Sequence, residues 1–180
     1  MSNGTAVGPT GGELPPLLGV LLRMPYQAMM GDVVEPGLAA AGHGAVRPTH
    51  FPVVQTLSRH PRGLRATELA ERARVTKQSM GALIDHLEAH GYVERVSDPN
   101  DGRARLIRLT DRGWDFVTAV RRLVGQVEAE WVDLVGAERV DQLRGLLAEL
   151  AEALGARAAR AQPISGDRPT AERRPRRLGG

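Results

Sequence analysis

At 180 residues and 42% apolar, the chain can bury one domain-sized core. Only 3% is aromatic, so that core must come from Leu, Val, Ala and Met, which favours helices over a β-sandwich. The absence of cysteine excludes disulfides, thiolate nucleophiles and cysteine-ligated metals. No apolar run reaches the ~18 residues of a membrane span and no signal-peptide pattern opens the chain, so no membrane partner is expected and the cytoplasm is the expected address. The formal charge is +3, but Arg157–Gly180 carries seven arginines against Asp167 and Glu172, leaving the rest mildly acidic. Within that remainder, Arg59–Arg112 is locally basic again, eleven to eight.

Residues 1–13, rich in Gly, Thr and Pro, read as a disordered start. Leu14 to about Ala41 reads as mostly helical, with Pro25 kinking it or ending its first part and Pro36 opening a new turn. Thr49 is the expected cap of a helix to about His60, whose Val53, Val54 and Leu57 face inward, and Pro61 and Gly63 close it. Ala66–Ala73 forms a short helix burying Leu69, Ala70 and Ala73. After only Arg74 and Val75, a second helix starts at Thr76, with Met80, Leu83, Ile84 and Leu87 at helical spacing and Gly91 as its stop. Tyr92–Val96 and Arg105–Leu109 are expected strands around the turn-forming Ser97–Arg103. Thr110 caps a long helix to about Val135, and Gly136 breaks it. A last helix to about Leu154 carries the narrow seam Val140, Leu143, Leu147, Leu150 and Leu154, which suggests pairing with a second copy. Residues 157–180 read as a disordered Arg-rich tail.

The fold class expected is therefore mainly α with a small β-hairpin wing, a winged helix-turn-helix with N- and C-terminal dimerisation helices. Its domain spans 14–156, with a DNA-binding part over 48–112 and dimerisation helices over 14–45 and 113–156. The helix opened by Thr76 lacks acids in its first turn and places Lys77, the only lysine of the chain, where the helix dipole disfavours it. Such a turn suits a nearby phosphate; the alternative is an ordinary solvated turn. Opposite the core stripe lie Lys77, Gln78, Gly81, Ala82, Asp85 and His86. Gln78 can pair bidentately with adenine, and the small Gly81 and Ala82 allow close approach to base edges. Ser79 reads equally as a phosphate contact or a local bond. In the hairpin, Arg103 and Arg105 can meet a minor groove, or an Asp101–Arg103 pair can simply stabilise the turn. His86 and His90, four apart, make a two-ligand arrangement that nothing nearby completes, so no metal and no cofactor is expected. No Walker, dinucleotide or G-x-S-x-G motif occurs, so no catalytic residue is assigned.

Leu69–Ala73, the run TKQSMGALIDHLEAHGYVER from Thr76 to Arg95, and SDPNDGRARLIRLTDRG after it together resemble the MarR family of multiple-antibiotic-resistance regulators. The resemblance is close over Thr49–Gly113 and extends to the flanking helices by layout. It implies a homodimer whose Thr76–His90 helices enter successive major grooves of a pseudo-palindromic operator, with Arg103 in the minor groove. Arg74, Thr76, Lys77, Gln78, Ser79, Gly81, Ala82, His86, Arg103 and Arg105 are thus the DNA-binding candidates. It also implies a cavity near Tyr26, Met29, Met30, His50 and Trp114 for a small phenolic or lipophilic effector, residues that core packing explains as well. Ala82 and His86 stand where relatives often carry basic residues, Arg65 replaces the usual Ser or Thr cap, and Pro25 interrupts a commonly continuous helix. The expected function is a DNA-binding repressor rather than an enzyme; a winged-helix protein-interaction module is the alternative.

Overall fold

The computed structural model describes residues 16–161, so the readings of residues 1–13 and of the tail beyond 161 fall outside it. The chain divides into two units, Met1–Glu130 and Trp131–Gly180. In the first, α1 (Leu18–Ala28) contains Pro25 and passes into a π-helical turn over Met29–Val34, followed by α2 (Glu35–Ala40). Pro36 explains the widening, because it has no N–H and its ring would strike the carbonyl four residues back. The Glu35 N–H accordingly bonds the Met30 carbonyl, five residues away. The chain stays helical through Pro25, and Pro36 lies in the first turn of α2, as the reading of a new turn implied.

A 3-10 turn at Pro48–His50 leads into α3 (Phe51–Ser58), which buries Val53, Val54 and Leu57. Thr49 lies inside that turn and caps nothing. The orphan N–H of Arg47 instead donates to Nδ1 of His50 at 3.0 Å. β1 (Leu64–Arg65), absent from the sequence reading, precedes α4 (Ala66–Ala73). A Cβ at Gly63 would lie 2.7 Å from the Ile107 carbonyl, and φ there is +90°, so glycine is what lets β1 reach its partner strand. α5 (Lys77–Ala89) buries Met80, Ile84 and Leu87, with Leu83 half-buried, as the periodicity implied.

β2 (Val93–Asp98) and β3 (Asp101–Leu109) are longer than expected, and the turn between them shrinks to Pro99 and Asn100. The antiparallel sheet has the order β1-β3-β2. A two-residue strand shows no alternation in sequence; β1 exists because β3 offers it an edge at Ile107 and Leu106.

α6 (Asp111–Val135) begins as the sequence implied, with the Thr110 hydroxyl oxygen accepting the Gly113 N–H at 3.1 Å. The Thr110 hydroxyl donates to the Gly91 carbonyl at 2.5 Å, and its N–H to the Tyr92 carbonyl at 3.1 Å. One turn on, Phe116 meets Tyr92, Phe51 and His43 edge-on, with ring centroids 5.5–5.9 Å apart. A chain with only two Phe and two Tyr thus spends three of them on one knot at the centre of the core. In the second unit, α7 (Ala137–Ala161) follows Gly136, whose φ is +93°. It runs past the expected end at Leu154, straight through Gly155 and on to Ala161, so residues 157–161, expected to be part of a disordered tail, are helical. Among the described residues, no helix is long and apolar enough to cross a membrane.

Gly113 should be intolerant of any side chain, because a Cβ there would lie 2.2 Å from the Tyr92 carbonyl oxygen. Gly113→Ala is expected to lower stability by roughly 1–3 kcal/mol, read as a shift in the urea midpoint at unchanged slope.

Candidate nucleic-acid interface

α4 and α5 meet at a turn whose hinge is Arg74, the sole non-glycine residue with positive φ (+56°) among those described. The Val75 N–H reaches back to the Ala70 carbonyl at 2.9 Å and closes α4. Glycine is the usual occupant of this left-handed position. An arginine held there at a cost of about 1 kcal/mol projects an exposed guanidinium from the base of α5.

The first turn of α5 carries no acid, and Thr76 caps it by accepting the Ser79 N–H at 3.2 Å. The Thr76 hydroxyl in turn donates to Ser79 Oγ at 2.9 Å, so Ser79 is partly engaged locally. Lys77, Gln78 and Ala82 are exposed and Gly81 is half-exposed. Lys77 and Gln78 have no side-chain partner within the chain's described residues. A Cβ at Gly81 would meet nothing within 4 Å, so that face is open.

His86 departs from the expectation of an open-face residue. It is half-buried, its Nε2 bonds the Ala45 carbonyl at 2.8 Å, and its ring stacks on His50 with centroids 4.4 Å apart and planes 8° from parallel. His90 meets the His86 ring at 4.3 Å with planes tilted by 35°, and its Nδ1 bonds the His86 carbonyl at 2.8 Å. The later turns of α5 lie against the 43–50 segment, which sequence periodicity cannot show. The described residues contain no grouping of three or more His, Asp or Glu able to hold a metal ion.

Asp85 and Glu88 would face a phosphate backbone with the wrong charge. Arg95 on β2 engages both, Asp85 at 2.6 Å and Glu88 closer still. At the hairpin, Arg65 spans Asp98 and Asp101. The Asn100 N–H and the Arg65 guanidinium hold the Asp98 carboxyl below the usual carboxylate range, and Asp98 in turn raises Arg65. Arg105 is occupied by Ser97 Oγ at 2.6 Å. The Asp101–Arg103 contact runs through the Arg103 N–H at 3.2 Å, so the Arg103 guanidinium itself stays without a partner among the described residues.

A cavity of about 510 Å³ opens in the first unit, within the range of small-molecule sites. Tyr26, Met29 and Met30 line it as expected, together with Phe51, Phe116 and Val120, and with Arg59 and Arg121 as its charged groups. His50 and Trp114 do not line it. His50 is turned away by Arg47 and the histidine stack. Trp114 precedes Phe116 by two residues, about 200° around the helix, and so faces elsewhere.

Hairpin, brace helix α4 and open-faced α5 define a winged helix-turn-helix. A model of the MarR family matches residues 46–104. The reduced form of MarR from E. coli is 26% identical, with a TM-score of 0.62 over 77% of this chain and 98% of that one. The transcriptional repressor CouR, solved on a 23-mer DNA duplex, is 28% identical, with a TM-score of 0.60 over 75% of this chain and 92% of its own. PcaV from Streptomyces coelicolor, solved with its natural ligand, shares the fold at 20% identity, with a TM-score of 0.55 over 76% and 91%. The chain is thus similar to MarR-family transcription regulators, by the family match over residues 46–104 and by the shared winged helix-turn-helix fold.

The histidines generate a pH prediction. Burial depresses His43, helped by the charge of Arg112; burial also depresses His50, helped by the charge of His86. With folded values below the ordinary 6.5, the unfolded chain takes up protons first. Stability is therefore full above that pH and falls as acid carries the protein below it, whereas the contribution of Asp98 persists to far lower pH. Urea midpoints should drop between pH 7.5 and 5.5, and His43→Asn with His50→Asn should flatten that drop.

Proposed function

We propose that this protein acts as a homodimer that reads a pseudo-palindromic operator in double-stranded DNA, as a repressor released by a small-molecule effector. One observation carries the reading. α5 buries Met80, Ile84 and Leu87 while leaving Lys77, Gln78, Gly81 and Ala82 open, and the acids on its outer side are neutralised. Gln78 then reads a base edge, Lys77 and Arg74 hold phosphates, and Arg103 enters the minor groove from the wing. The DNA-bound CouR relative supports this use of the fold.

Homodimerisation is supported by apolar faces that a single chain leaves uncovered. α1 exposes Leu18, Leu21 and Met24, and α7 exposes Leu143, Leu146, Leu147, Leu150 and Leu154. Two copies would present their α5 helices about 34 Å apart, one turn of the duplex. The effector is supported by the cavity beside Tyr26 and Phe116, whose apolar wall and two arginines suit a phenolic or lipophilic molecule. A ligand favouring a DNA-incompetent dimer tenfold would shift the balance by about 1.4 kcal/mol.

Selection from a randomised duplex pool tests the DNA reading. The wild type should enrich a two-fold symmetric site and release it with rising salt; retention of no duplex would leave only a protein-docking module. On that site, Gln78→Ala should cost roughly 1–3 kcal/mol and relax one base position, while Arg103→Ala should lower the salt slope by about one. For the cavity, anilinonaphthalene sulfonate serves as a probe. It should weaken operator binding by the wild type and have no effect on Val120→Trp, which fills the space yet keeps its DNA affinity.

A further inference from the structure

Arg65 occupies the N-cap of α4, where a short hydroxyl or carboxylate is usual. Its N–H is satisfied by Glu68 Oε2 at 3.1 Å, and its guanidinium is left for the hairpin. There the strand register sets Asp98 directly opposite Asp101, a like-charged pair at the mouth of the two-residue turn. Such a pair opposes closure of the hairpin unless a cation meets it. Arg65 is that cation. Its Nε and Nη2 donate to Asp98 Oδ2 at 3.0 and 2.7 Å, and Nη2 also reaches Asp101 Oδ2 at 3.3 Å.

Both carboxylates are also bonded to the backbone of the turn. Asp98 Oδ1 accepts the Asn100 N–H at 2.9 Å, and Asp101 Oδ1 accepts the Arg103 N–H at 3.2 Å. A continuous path therefore runs from the first residue of the helix-turn-helix, through Asp101, to the backbone of Arg103. Asp98 is 7% exposed, so this anchor is shielded from water on the hairpin side.

We propose that Arg65 is a positioning residue for DNA recognition, fixing the attitude of the wing to α4 and silencing two carboxylates so that Arg103 meets the duplex. The inference rests on the DNA-binding reading. A residue that only stapled the turn would change DNA affinity by the same factor whether or not Arg103 were present. A positioning residue acts through Arg103, and its effect vanishes with it.

The test is a double-mutant cycle on the duplex that the wild-type protein enriches from a randomised pool. Arg65→Gln is expected to weaken binding about tenfold in the wild-type background and less than about twofold beside Arg103→Ala. Arg65→Lys keeps the charge but not the fork, and should give a smaller loss with the same dependence on Arg103; it carries the cycle if the Gln variant does not fold. Equal losses in both backgrounds overturn the proposal alone. Enrichment of no duplex by the wild type overturns the regulator reading beneath it.

Discussion

The carbonyl of Tyr92 and the bare backbone of Gly113 approach so closely that no side chain fits between them, and the winged helix is assembled around that contact. Tyr92 stands between the end of α5 and the start of β2. Its carbonyl accepts the Thr110 N–H where β3 gives way to α6. Its ring is fully buried against Phe116, and its hydroxyl meets His43 Nδ1 at 3.2 Å and Arg112 at 3.3 Å. Arg112 lies over the same ring at 4.9 Å and also holds the Gly42 carbonyl. One tyrosine thus joins the end of α5, the hairpin, α6 and the 41–47 segment.

Charge is managed with similar economy. The acids that could repel a nucleic acid are each met by an arginine from another element, Asp85 and Glu88 by Arg95, Asp98 and Asp101 by Arg65, and Glu94 by Arg108. Exposed ion pairs contribute little to stability, so these arginines matter more for the field at the surface than for the fold. Arg74, Lys77 and Arg103, in the turn, helix and wing of the motif, take no part in these pairs. The formal charge of the chain, set largely by its tail, says nothing of this arrangement.

The proposed recognition face and the cavity share the same scaffold. Phe116 belongs to the aromatic knot and also lines the cavity, so a ligand seated there touches the core that carries Tyr92. Coupling between the two would pass through close-packed rings, which move as discrete units rather than deform gradually.

Local signals were legible in the sequence wherever one element's chemistry sufficed. The span of α4, the Thr76 and Thr110 caps, the Met80–Ile84–Leu87 stripe and the breaks at Gly91 and Gly136 follow from spacing, capping and backbone freedom, each a property of a few neighbouring residues. So do the exposed Lys77 and Gln78, because a helix that buries one face must show the other. Contacts between residues distant in the chain decided the rest. β1 needs the edge of β3, His86 is drawn inward by Ala45 and His50, His50 and Trp114 face away from the cavity they were expected to line, and Arg65 finds acids more than thirty residues away. Periodicity reports which side of an element is apolar but carries no information about what it packs against, and only the assembled fold supplies that.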